Sequence, residues 1–123
     1  NALKILQGKY PRTTFVHSTI PLMRKTGALK LFIKTLLGKD DTLHNIARNE
    51  YNDLIRNEYG DKEPLFDIAS IESTYPDGKT ETFRKNGKTY YALVPLYTED
   101  GGHLNSRGSQ QVARQLLILL QSL

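Results

Sequence analysis

Pro64-Leu65-Phe66-Asp67-Ile68-Ala69-Ser70-Ile71 is a nearly continuous apolar run broken by one carboxylate. A strand with one wet face alternates apolar and polar residues. An unbroken run suits a strand covered on both faces, as in a parallel sheet flanked by helices. This stretch therefore sets the expected class as α/β. Asp67 interrupts the run and needs a partner if buried, so it reads as a structural hydrogen-bonding group.

The flanking segments fit the same class. Thr13-Thr14-Phe15-Val16-His17-Ser18-Thr19-Ile20 is β-branched and aromatic, and reads as a strand ended by Pro21. Residues 1–9 read as a helix end with Gly8 as its stop, and Leu29–Leu37 as a short helix stopped by Gly38. Asp40 or Asp41 is placed to cap the next helix, which runs to Gly60. Its apolar positions Leu43, Ile46, Ala47, Tyr51, Leu54, Ile55 and Tyr59 recur at helical spacing, which predicts the buried face. Beyond the Pro76-Asp77-Gly78 turn, Thr82–Lys85 and Lys88–Leu93 flank Asn86-Gly87, the signature of a type I′ hairpin. A last helix spans about Ser106 to Leu123, with a wide stripe of Val112, Ala113, Leu116, Leu117, Leu119, Leu120 and Leu123. Strands alternating with helices indicate an α/β layer fold.

A chain of 123 residues supports one modest core, so a single domain is expected. The net charge of +4 is spread along the chain, apart from Lys79, Arg84, Lys85 and Lys88 around one turn. Nucleic acid recognition calls for a basic face with groove-reading or stacking elements, and none is expected. The absence of cysteine excludes disulfides and thiolate metal sites. No apolar run approaches the roughly 20 residues of a membrane span. The three histidines, at 17, 44 and 103, show no metal-ligand spacing. Composition leaves localisation open.

The chemistry sits in Asp100-Gly101-Gly102-His103-Leu104-Asn105-Ser106-Arg107-Gly108. Two glycines let the loop fold the Asp100 carboxylate onto imidazole Nδ1 of His103. That would leave Nε2 to take a proton from a hydroxyl nucleophile. Spacing alone does not carry the assignment, because Asp41-Thr42-Leu43-His44 repeats it. There, however, the aspartate is better placed as a carboxylate of the helix N-terminus, and His44 reads as structural or exposed. His17 reads as a packed or hydrogen-bonded histidine, Glu72 as a solvated strand-end carboxylate, and Asn105 as a helix cap or loop-orienting group. Tyr90, Tyr91 and Tyr97 form a candidate sugar-stacking set. That set supports the alternative of a non-catalytic α/β glycan- or protein-binding module.

The blocks Phe15–Leu22, Leu65–Ser73 and Asp100-Gly101-Gly102-His103-Leu104-Asn105-x-x-Gly108, followed by a Val112-Ala113 helix, resemble the C-terminal half of an SGNH hydrolase of the GDSL lipase/esterase family. Asp100 and His103 match the Asp-x-x-His of the family's last block. The resemblance implies a three-layer α/β/α sandwich with a parallel sheet, flavodoxin-like and partial here, with a β-hairpin and a helical insertion. It implies serine ester hydrolysis without a cofactor, on an acyl or acetyl ester, with acylated carbohydrates among the candidates. The family's Gly-Asp-Ser nucleophile motif is absent: Gly60-Asp61 is followed by Lys62, and no Gly-x-Asn-Asp block is present. Ser18 and Ser73, near expected strand ends, lack the preceding glycine turn. The expectation is that residues 1–123 are the C-terminal part of a larger domain and inactive alone. An upstream segment would supply the serine. Self-association, or retention of that segment, would cover the open sheet edge.

Overall fold

The computed structural model describes residues 2–37 and 42–123. The chain is mixed α/β, with helices α1 (Ala2–Lys9), α2 (Ala28–Leu36), α3 (Thr42–Tyr59), α4 (Ile68–Ser73) and α5 (Ser106–Gln121). Strands β1 (His17–Ser18) and β2 (Leu65–Phe66) pair in parallel, with His17 opposite Leu65 and Ser18 opposite Phe66. Strands β3 (Thr82–Lys85) and β4 (Lys88–Tyr91) form the expected hairpin, and Asn86 and Gly87 take the positive φ angles of 50° and 78° that its turn demands. A 3₁₀ turn spans Pro95–Tyr97. The expected caps Asp40 and Asp41, and the stop at Gly38, lie outside the described residues.

Two expectations change. The apolar run 64–71 is a strand for two residues only; Asp67 then caps α4, its carboxylate accepting the Ser70 N–H at 3.1 Å. The aspartate does not interrupt a strand but starts a helix, because a short carboxylate satisfies first-turn N–H groups. Likewise only His17–Ser18 of the 13–20 segment pairs as strand. The residues after it find other partners.

Two of those partners are asparagines of α3, Asn45 and Asn52. Asn45, Asn49 and Asn52 are buried, whereas Leu43, Tyr51 and Leu54 on the expected core face are exposed. Each asparagine grips one backbone residue through both its groups. Asn52 accepts from Ile20 N and donates to Ile20 O. Asn45 does the same with Met23, and Asn49 with Tyr91. A carboxamide carries the donor and acceptor of a peptide unit, so it replaces a missing strand neighbour. Helix α3 thus docks on a chain edge by polar bonds, and the apolar period is not what places it.

The core consists of Leu22, Ala69, Leu93, Val94 and Tyr97, with Tyr75 and Leu104 against it. The segment Ala92–Val94 threads this core in extended form. Its amides bond to Glu81 O, Met23 O and Glu72 O at 2.9–3.0 Å. The last helix carries its apolar stripe largely in solvent: Leu116, Leu117, Leu120 and Leu123 are all exposed. Among the described residues, no helix is long and apolar enough to cross a membrane.

Candidate active site: the Asp100–His103 loop

The loop between the 3₁₀ turn and α5 is fixed at both ends. Thr98 bridges Leu104 across its base, and Asn105 N–H bonds to Tyr97 O at 2.8 Å. Asn105 then caps α5, accepting Gly108 N–H at 3.0 Å, while its amide donates to Leu96 O at 3.1 Å. It therefore both caps the helix and orients the loop. Gly108 is where α5 presses on the turn: a Cβ there would meet Tyr97 O at 2.7 Å and Leu104 at 2.9 Å.

Within this frame Asp100 turns back on its own loop. Oδ1 accepts the backbone N–H groups of Gly102 and His103 at 2.9 and 2.8 Å. Oδ2 lies 2.6 Å from His103 Nδ1. Gly101, at φ 95°, supplies the left-handed residue that this reversal needs. The His103 and Gly102 N–H groups, followed by the His103 ring, hold the Asp100 carboxyl far below the usual carboxylate range. The same contact raises the pKa of His103, chiefly through the hydrogen bond to Asp100.

An ionised carboxylate on Nδ1 fixes the imidazole tautomer and directs Nε2 away from the loop. The His103 side chain is 92% exposed and Asp100 56%. Among the described residues His103 bonds only to Asp100 through its ring. No described serine reaches it: Ser18, Ser73 and Ser122 hydroxyls each donate to a nearby backbone carbonyl. Ser73 is buried within α4 and does not stand at a strand end.

The other sequence candidates separate from this loop. His17 stacks on Tyr59 with ring centres 3.7 Å apart, and its Nε2 lies 2.9 Å from Glu63 Oε2. Gln7 donates to the same oxygen, which ties α1 to the start of β2. Asp67 is held by a two-point contact with Arg56, at 2.7 and 2.9 Å, and by Thr19 Oγ1 at 3.0 Å. Its role as a structural group stands. Glu72 corrects the expectation of a solvated carboxylate: it is 2% exposed, lies in α4, and accepts Leu22 N–H at 2.7 Å. The apolar run before it reads as a strand, which would place Glu72 at a wet end. The three tyrosines do not share a face, since Tyr97 is in the core and Tyr90 stacks on Phe83, leaving Tyr91 exposed. His44 is exposed, and its partner in the repeated spacing, Asp41, lies outside the described residues. No group of three or more His, Asp or Glu side chains among the described residues could hold a metal.

The loop Met23–Gly27 lies beside the Asp100–His103 loop and was not singled out from the sequence. Arg24 N–H bonds to Gly101 O at 2.8 Å. The two loops form one wall of a surface cleft that includes Lys25, Lys30, Glu99 and Asp100.

Compared with protein-family models, with curated proteins and with solved structures, the chain shows no significant match.

Proposed function

We propose that Asp100 and His103 are the acid and base of an SGNH-type serine ester hydrolase. In this reading the chain forms the C-terminal part of the catalytic domain. The observation that carries it is the 2.6 Å contact between Asp100 Oδ2 and His103 Nδ1, made on a loop that leaves Nε2 open. His103 Nε2 takes the proton of a serine hydroxyl as that oxygen attacks the ester carbonyl. It then returns the proton to the leaving alcohol. Asp100 holds the tautomer and stabilises the imidazolium. Serine and most oxyanion donors come from a segment outside residues 1–123, so the isolated chain is inactive.

The fold supports this reading in two ways. β1 and β2 pair in parallel, as the last two core strands of a three-layer α/β/α sandwich would. The exposed apolar faces of α3 and α5 suit helices that flank a wider sheet. The alternative of a glycan-binding module loses its main support with the dispersal of the tyrosines.

The test is p-nitrophenyl acetate hydrolysis by the parent polypeptide and its His103→Ala variant. The expected loss is about a thousandfold. Equal rates would overturn the assignment. Labelling of the isolated chain by a serine-hydrolase probe would overturn the external nucleophile.

A further inference from the structure

The cleft beside the Asp100–His103 loop continues to the β-hairpin. Its hairpin end is lined by Arg24, Lys25, Thr26, Asn45, Phe83, Arg84 and Lys85, and its other end by Arg24, Lys25, Lys30, Glu99, Asp100 and Gly101. Arg24, Lys25 and Thr26 are common to both ends. Among the described residues five cations and two carboxylates line this groove; Asp100 is engaged by His103, and Lys85 has a partner of its own. Lys25 is paired with Glu81 of the hairpin side. The Arg24 guanidinium has no hydrogen-bond or ion-pair partner among the described residues.

The groove is rigidly built where it matters. Two residues of its wall, Met23 and Arg24, and the buried Leu22 before them are anchored from three directions. Leu22 N–H bonds to the buried Glu72 carboxylate, Met23 N–H and O are both held by buried Asn45, and Arg24 N–H is held by Gly101 O. The backbone that carries Arg24 is therefore fixed relative to the loop that carries His103. A guanidinium carried on an anchored backbone and free of other partners can meet an anion through a charge-assisted, two-point contact. Phe83 adds an apolar surface at the far end.

We propose that this groove is a substrate subsite that binds a carboxylate or phosphate group carried by the ester, with Arg24 as the principal contact and Arg84 as a second. This rests on the hydrolase reading for its link to catalysis, but the binding itself does not. The substrate class follows: esters of anionic compounds, with the charged group held toward the hairpin and the acyl group toward His103.

The experiment is a titration of the 123-residue chain with inorganic phosphate and, separately, with glucuronate, followed by amide NMR at constant ionic strength. Saturable shifts confined to Arg24, Thr26, Gly101 and Arg84 are expected with at least one ligand, and which one responds identifies the group. Arg24→Ala should weaken that binding about tenfold, as loss of a charge-assisted contact does. His103→Ala should leave it intact. Absence of saturation with both ligands, unchanged binding in Arg24→Ala, or loss in His103→Ala would each overturn the subsite. Failure of the parent polypeptide to hydrolyse esters would strike the hydrolase reading alone.

Discussion

The carboxylate of Glu72 accepts the Leu22 amide at 2.7 Å while only 2% of the residue meets solvent. Burial pushes its pKa up from 4.5 to about 6, against the Leu22 hydrogen bond and the more distant Arg48, which both lower it. A carboxyl whose folded pKa exceeds its unfolded value favours the folded state when protonated. Stability is therefore greatest below the unfolded value and falls as pH rises from about 4.5 through about 6. Glu72→Gln keeps an acceptor for Leu22 without the charge. It should stabilise the fold by about 2 kcal/mol at about pH 8, at 1.36 kcal/mol per pKa unit, and by little at about pH 4. Urea unfolding at the two pH values measures this. A loss of stability at the higher pH would show that the charged form is needed.

The Asp100–His103 contact makes a prediction of the same sign. The raised pKa of His103 comes first from its hydrogen bond to Asp100 and then from the carboxylate charge. The contact favours the protonated imidazole, so its contribution is complete below the unfolded pKa and is lost as pH rises through the folded one. Asp100→Asn should lower the His103 midpoint toward the ordinary histidine value, read from its ring proton shifts. An unmoved His103 midpoint would mean that the two groups do not interact in solution.

Gly108 tests how firmly the last helix holds the loop. A methyl at this position would lie 2.7 Å from the Tyr97 carbonyl oxygen and 2.9 Å from Tyr97 Cβ and Leu104 Cδ2. One of these contacts is backbone, so the turn or the helix must move. Gly108→Ala should cost about 2 kcal/mol as an overpacking change, outweighing the gain in helix propensity. It should also broaden the His103 and Gly101 amide signals, because Asn105, which caps α5 through Gly108, is tied to Tyr97. Denaturation midpoints and amide spectra report the two effects separately.

The sequence made some of this legible and hid the rest for physical reasons. The Asn86-Gly87 hairpin, the extents of α2 and α3, and the approach of His103 to Asp100 follow from local chemistry: turn residues, helical period and loop glycines. The burial of α3 did not follow. Leu43, Tyr51 and Leu54 dominate its apolar period, yet Asn45, Asn49 and Asn52 are inside. An apolar period predicts which face prefers to leave water. It does not say whether this chain provides something apolar to meet it. The spacing of the asparagines, at i, i+4 and i+7, was a signal that one helix face could serve passing backbone. Asp67 was misleading for a similar reason: a carboxylate ahead of an apolar run reads as a flaw in a strand or as a cap, and only the chain's later course decides. Arg24 has no local signature, since its place beside Gly101 depends on a long-range backbone bond.

The uncovered apolar faces lead to the last prediction. The accessible surface is 8484 Å², whereas a folded monomer of 14.0 kDa is expected to expose about 6,700 Å². The excess exceeds the roughly 800 Å² that each partner buries in a standard interface. Leu43 and Leu54 of α3 and Leu117 and Leu120 of α5 are each more than half exposed. Strand β1 pairs only with β2, which leaves its other edge open among the described residues. Exposed apolar faces on two helices, together with an open strand edge, favour association in water. The isolated chain should therefore sediment as a dimer or larger species at micromolar concentration. Replacing Leu54 and Leu117 together by Glu should shift it to a 14.0 kDa monomer. These side chains make no core contact, so the double variant should keep its unfolding transition. A wild-type chain that sediments as a monomer across the concentration range would show that these faces stay in water.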